Sequence, residues 1–253
     1  MPRYALTLEY DGTPFVGWQR QAVGVSVQGV IEQAILKFSG ESVSIRGAGR
    51  TDSGVHALRQ VAHADLSKEW TASRVQDALN FHVRPHPVAV IACARVSGNF
   101  DARFSAIERS YIYRILTRRA QPVLQKDRVW WLTGELDADK MRDAASVFVG
   151  HHDFTTFRAT QCQATSPEKT LDVFDVARDG DEIRMRVVAR SFLHNQVRSM
   201  VGSLKHVGEG KWTRADLETA LAAKDRNACG TVAPASGLYL ADVRYPDALQ
   251  PRP

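Results

Sequence analysis

The sequence predicts an α+β fold built from two similar halves, and three observations carry that reading. Apolar residues switch between a repeat of two and a repeat near 3.6 along the chain. The elements they mark come in the order β-α-β-β-α-β, and then in that order again. Finally, 253 residues that are 44% hydrophobic and 24% charged form an ordinary globular mix, long enough for one large domain or two small ones.

In the first half, Arg3–Tyr10 reads as a strand. Val27, Val30, Ile31, Ala34, Ile35 and Phe38 follow helical spacing, with Ser26 as N-cap. Ser42–Arg46 and Gln60–Leu66 read as two strands around a glycine-rich connection. Thr71 caps a second helix carrying Val75, Ala78 and Leu79, and Pro87–Val96 reads as a strand. The second half opens with the strand Ser110–Thr117. After it, Thr117–Trp131 is a long basic insertion with Arg118, Arg119, Lys126 and Arg128. Asp137 caps a helix with Met141, Ala144, Ala145 and Phe148 on one face. Leu171–Ala177 and Glu182–Arg190 form a pair of strands around Arg178-Asp179-Gly180-Asp181. Val197, Met200, Val201 and Leu204 mark a helix, Thr213–Ala223 a further one, and Leu238–Tyr245 a closing strand. Each half is then a split-βαβ, ferredoxin-like unit, residues 1–105 and 106–253. Sheets of this kind carry helices on one face and leave the other open. In Glu182–Arg190, Arg184 and Arg186 alternate with Ile183, Met185 and Val187, which puts two arginines on one face.

Composition excludes several function classes. No apolar run approaches the roughly 18 residues of a membrane span. The N-terminal MPRYALTLEYDGTPF lacks the pattern of a secretory signal. The three cysteines, Cys93, Cys162 and Cys229, are odd in number and widely spaced, which argues against a disulfide framework or a Cys-rich zinc site and fits a reducing, cytoplasmic compartment. Net charge is +5, and the 33 basic residues comprise 25 Arg and 8 Lys. Arginine pairs bidentately with phosphate and stacks on bases, so this excess suits a nucleic-acid surface; a genome rich in arginine codons produces the same excess. Adjacent His151 and His152 before Asp153 point in different directions, which makes shared metal ligation awkward, and the segment reads as a loop after a helix end near Gly150.

The densest stretch for chemistry is Gly47-Ala48-Gly49-Arg50-Thr51-Asp52-Ser53-Gly54-Val55-His56-Ala57, between two expected strands. Its glycines permit positive φ and close backbone approach to a ligand. Arg50 and Asp52 project a guanidinium and a carboxylate from one short loop. An ionised carboxylate can serve as nucleophile, base or electrostatic stabiliser. Thr-Asp-Ser-Gly is equally a common turn composition, so the residues alone leave both readings open. No G-x-x-x-x-G-K-[ST] is present, which excludes a P-loop.

That undecapeptide resembles the catalytic loop of the tRNA pseudouridine synthase A family, with Ser53 where the family usually has Ala. Tyr10-Asp11-Gly12-Thr13, Gly17-Trp18-Gln19-Arg20-Gln21 and Ser26-Val27-Gln28-Gly29 are similar to its N-terminal signatures. Phe104-Ser105-Ala106, Tyr111 with Tyr113, Asp153-Phe154-Thr155-Thr156-Phe157-Arg158, Phe192-Leu193-His194-Asn195-Gln196-Val197-Arg198 and Ala233-Pro234-Ala235-Ser236-Gly237-Leu238-Tyr239-Leu240 follow in family order. The resemblance implies the pseudouridine synthase fold, with two ferredoxin-like halves joined in one extended, mostly antiparallel sheet. It implies isomerisation of uridine to pseudouridine at positions 38–40 of the tRNA anticodon arm. It also implies a homodimer, with tRNA as partner and neither metal nor organic cofactor. Asp52 matches the catalytic carboxylate, which attacks C1′, attacks C6 or removes a sugar proton. Arg50 and Arg198 are expected to pair with Asp52 or to fill the gap left by a flipped base. Tyr111 is expected to stack on the uracil and relay a proton, and Leu238 to pack against it. The N-terminal half then carries the Asp loop and the C-terminal half supplies the rest of the site. Arg184, Arg186, Arg118 and Arg119 are expected to contact RNA. An RNA-binding protein without catalysis would lack the Asp, and a phosphoryl-type hydrolase would need a carboxylate cluster that the sequence does not offer.

Overall fold

The computed structural model describes residues 1–251. It has the expected α+β class, and the chain divides into two compact units. One comprises Met1–Arg109 together with the residues from Tyr239 onward, and the other is Ser110–Leu238. The closing strand, expected with the second half, therefore packs with the first.

In the first unit, β1 (Arg3–Tyr10) lies between β3 (His56–Asp65) and β4 (Val88–Val96), antiparallel to both. The short β2 (Arg46–Gly47) pairs with β3 through Arg46↔His63. On its other edge β3 takes β10 (Leu238–Arg244) in parallel, with Tyr239 opposite His56. Seven of the eight residues of β1 are buried or half-buried, as expected of a strand with neighbours on both edges and side chains packed on both faces. Helix α1 (Val27–Ser39) begins where expected: the Ser26 hydroxyl accepts the Gly29 N–H. It ends at Gly40, which is left-handed at φ 76°. Helix α2 (Ala72–His82) is capped by Thr71.

In the second unit, β8 (Glu168–Asp179) and β9 (Glu182–Ala189) form a hairpin, and β7 (Gly150–Asp153) adds to β8. The strand β5 (Glu108–Thr117) takes β6 (Trp130–Leu132) in parallel. Helix α3 (Ala138–Ala145) is capped by Asp137, α4 is Gln196–Gly208, and α5 (Arg214–Ala223) starts in a Thr213/Asp216 capping box. Ile183, Met185 and Val187 of β9 are fully buried, as are Met141 and Ala144 of α3 and Met200 and Leu204 of α4.

Three expectations need correction. Ser42–Arg46 is not a strand: only Arg46 and Gly47 pair, and the Ile45 N–H goes to the Glu32 carboxylate instead of a strand neighbour. The strand expected from Gln60 begins four residues earlier, at His56. The segment His151–Asp153 is a strand and not a loop. Its pairing to β8 sets the histidines apart: His151 faces Glu168 and Thr170, while His152 bonds the Val149 carbonyl.

Candidate active site

The loop between β2 and β3 is held at several points along its main chain. At its entry the Ala48 N–H donates to Val61, and the Ala48 carbonyl accepts two N–H groups of Arg109, at 2.8 and 3.2 Å. Gln60 Nε2 donates to the Gly49 carbonyl at 2.7 Å. The Thr51 carbonyl accepts the Trp18 N–H, and the Thr51 hydroxyl bonds the buried Tyr10 phenol at 2.8 Å. A tight turn follows, in which the Asp52 carbonyl accepts the Val55 N–H and Gly54 supplies φ 76°. The Ser53 hydroxyl donates to the Phe15 carbonyl.

Two glycines of the N-terminal segment lie against this loop too closely for any side chain. A Cβ on Gly17 would stand 2.6 Å from the Thr51 oxygen and 3.1 Å from the Asp52 carbonyl carbon, and one on Gly12 would meet the Val55 oxygen. Next to Gly12, the buried His56 accepts the Gly12 N–H at Nδ1 and stacks on Tyr239, ring centroids 4.7 Å apart. The outcome is a half-buried Asp52 carboxylate on a backbone fixed from several directions, with Arg50 exposed beside it. Burial pushes the Tyr10 phenol up to about 12, against the opposing bonds from Thr51 and Gln60. Tyr10 therefore stays protonated at neutral pH and acts as a structural tie.

In the second unit, Tyr111 and Tyr113 stand two apart on β5 and so share a face. Tyr111 is buried, its ring edge-on to Phe192 at 5.0 Å. Tyr113 is fully buried, donates to the Pro234 carbonyl at 2.8 Å, and is driven by burial well above the ordinary tyrosine range. Arg198 sits in the first turn of α4, just after the left-handed Asn195. Its Nε donates to the Ala233 carbonyl at 2.7 Å while its own carbonyl accepts the Ala233 N–H, and Nη1 reaches Asn195 Oδ1. Gly202 lets this helix lie directly on the Thr231 carbonyl, and Gly237 packs against the Tyr113 ring. Arg198, Gly202 and Tyr113 together fix the stretch that leads into the buried Leu238.

The expected RNA-contact residues lie elsewhere. Arg184 and Arg186 are exposed on β9 as expected, but each has a carboxylate at hand: Glu182 at 2.7 Å and Asp175 at 3.9 Å. Glu182 also takes a two-pronged bond from Arg114, which with Arg184 brings its carboxyl down to about 2 against the effect of burial. This face alternates in sign. In the basic insertion Arg119 is exposed, while the Arg118 guanidinium donates to the Ala120 and Gln121 carbonyls of its own loop. Among the described residues, no three His, Cys, Asp or Glu side chains are placed to hold a metal ion, and no helix is long and apolar enough to cross a membrane.

The sequence assigned no role to Gln60 or Arg109, and marked Tyr10 only as the first residue of a family-like segment. Gln60 and Arg109 are polar residues within strands that show no signal apart from the contacts they make with the loop.

Comparisons with known proteins agree over nearly the whole chain. The family model described as tRNA pseudouridine synthase matches residues 7–105 and 144–246. A tRNA pseudouridine synthase A of Azorhizobium caulinodans is 59% identical over 249 residues, 98% of this chain and 96% of its own length. The proteins of that name from Xanthobacter autotrophicus and Brucella ovis are both 58% identical, covering 97% of this chain and 100% and 98% of their own. A chain of the crystal structure of a Cbf5-Nop10-Gar1 complex aligns with a TM-score of 0.37 at 11% identity, over 82% of this chain and 45% of its own.

Proposed function

Because this chain belongs to the tRNA pseudouridine synthase family, we propose that it isomerises uridine to pseudouridine in tRNA, at positions 38–40 of the anticodon arm, with Asp52 as the nucleophile. The observation that carries the reading is the Asp52 loop. Its backbone is pinned by Trp18, Gln60 and Arg109, and its Thr51 hydroxyl by Tyr10, while Asp52 stays half-exposed. A group required to meet a reacting carbon gains most from being held in place beforehand.

The reaction breaks the C1′–N1 bond, turns the uracil, forms C1′–C5, and exchanges the C5 hydrogen for one on N1. No atom is lost and no electrons are transferred. A base stacked in RNA must first be flipped out to be reached. Asp52 attacks C1′, attacks C6 or removes a sugar proton to start the sequence. Tyr111 offers a ring for the flipped uracil and a hydroxyl to relay a proton, and Leu238 offers it apolar surface. In this reading Arg50 and Arg198 pair with Asp52 or occupy the gap in the RNA. Arg184, Arg186, Arg118 and Arg119 meet phosphates of the anticodon stem-loop. The enzyme acts as a homodimer in the cytoplasm, where tRNA is found, and uses no cofactor.

The test is tritium release from tRNA labelled at uridine C5. Wild type is expected to release it. Asp52→Asn keeps the shape and loses the charge, so it should abolish release while binding tRNA as before. Turnover by that variant within tenfold of wild type would sink the assignment of Asp52.

A further inference from the structure

The loop Asp101–Ala106 holds an aromatic ring out in water on a rigid frame. Phe104 is 72% exposed. The backbone beneath it is nevertheless bonded at almost every group. Asp101 Oδ1 accepts the Arg103 and Phe104 N–H groups, and the Ser105 hydroxyl and N–H bond back to Asp101. The Ala102 N–H donates to His63 Nδ1, and the Ala102 carbonyl accepts the Tyr245 phenol. The buried Arg109 then takes the Arg103 carbonyl at 2.6 Å on Nη2, the same nitrogen that donates to Ala48 at the entry to the Asp52 loop. The exposed ring is thus tied through one guanidinium to the backbone that carries Asp52.

Two positive groups lie at this loop, one of them at the ring. The Arg103 guanidinium lies 5.4 Å from its centroid. Arg46, itself exposed, comes to 3.7 Å from Asp101 Oδ2, on the carboxylate whose other oxygen accepts the Phe104 N–H. A rigid aromatic plane costs little further entropy on binding, and an adjoining arginine pair suits phosphate. Bases stack on such planes whatever their identity. A two-fold contact between copies centred on the same ring would instead bring Arg103 and Arg46 toward their own counterparts, like charge against like.

We propose that Phe104, with Arg103 and Arg46, is a stacking platform for an unpaired base of the RNA substrate, neighbouring the nucleotide that reaches Asp52. The proposal rests on the tRNA reading above and adds a positioning residue to it. The experiment compares wild type with Phe104→Ala, Phe104→Leu and Phe104→Trp on an unmodified tRNA transcript. It measures Kd by filter binding, KM by tritium release, tryptophan emission as the difference between the Trp variant and wild type, and oligomeric state by sedimentation. Alanine and leucine should both weaken binding roughly tenfold, the loss of one base–aromatic stack, and the loss should appear in KM. Tryptophan should restore affinity and be quenched when tRNA is added. Wild-type affinity in the alanine variant, or leucine serving as well as tryptophan, would overturn the platform. A change of oligomeric state in the alanine and leucine variants would also overturn it and assign the ring to a contact between copies. Ring-dependent RNA binding by a wild type that releases no tritium would uphold the platform while the isomerase reading failed.

Discussion

Replacing Gly17 with alanine should disable the enzyme without touching a charged or polar group. Two costs follow from the geometry. At φ 109° an alanine sits in a sparsely populated backbone region, worth about 1–3 kcal/mol. Its Cβ would also stand 2.6 Å from the Thr51 oxygen, 3.1 Å from the Asp52 carbonyl carbon and 3.2 Å from the Ser53 nitrogen. These are backbone atoms that cannot swing aside, so relief comes only by moving the loop, and overpacking of this kind costs about 1–3 kcal/mol more. The conformational part can be measured separately. Gly40 is also left-handed, at φ 76°, and a Cβ there would have no atom within 4 Å. Gly40→Ala should therefore lose only about 1–2 kcal/mol. In a chain of this size that is a fall in Tm of a few degrees, by roughly 2–4 °C per kcal/mol. Gly17→Ala should fall further. Its kcat in tritium release should drop on the order of 100-fold, because a displacement near 1 Å at a reacting group costs about that much. The matched pair, assayed by thermal melting and single-turnover kinetics, separates the two effects. A Gly17→Ala enzyme with kcat within threefold of Gly40→Ala would refute the idea that Gly17 sets the position of Asp52.

Two further outcomes are expected. Glu182, with its carboxyl lowered to about 2 chiefly by the Arg114 bonds, stabilises the fold fully above its ordinary value of 4.5, and this contribution fades as pH falls toward 2. Glu182→Gln should thus melt below wild type at pH 7 and converge with it between pH 4.5 and 2; a gap unchanged at pH 3 would contradict this. Reversing Arg118 and Arg119 to Glu should weaken tRNA binding and flatten its dependence on log salt, since fewer counterions are released. An unaltered affinity and salt slope would remove the basic loop from the RNA surface.

Local elements were legible in the sequence because their causes are local. Ser26, Thr71 and Asp137 each cap the helix expected from them, since an N-cap needs only a side-chain oxygen and the N–H two or three residues on. Strands β1, β4, β8 and β9 came through in the sequence pattern, and the turn expected over residues 178–181 narrows to Gly180 and Asp181 because Arg178 and Asp179 pair with Ile183 and Glu182. The Asp52 loop stood out for another reason: its motif is dense, and the motifs along the chain follow family order.

Tertiary structure alone decided matters of partnership. Strands β6 and β7 span three and four residues and exist because β5 and β8 present edges to them, which no periodicity that short can reveal. The reverse holds at Ile45, whose N–H finds the Glu32 carboxylate from α1, so an alternating segment never becomes a strand. The supports of the Asp52 loop belong to the same class. Arg109 is 61 positions from Ala48, and Tyr10 is 41 from Thr51. Their value lies in satisfying buried carbonyl and hydroxyl groups far along the chain. The sequence by itself determined which carboxylate stands on the loop and which helices and strands surround it. Folding decided what holds that carboxylate still, because a backbone group's need for a partner is local but the partner is chosen by packing.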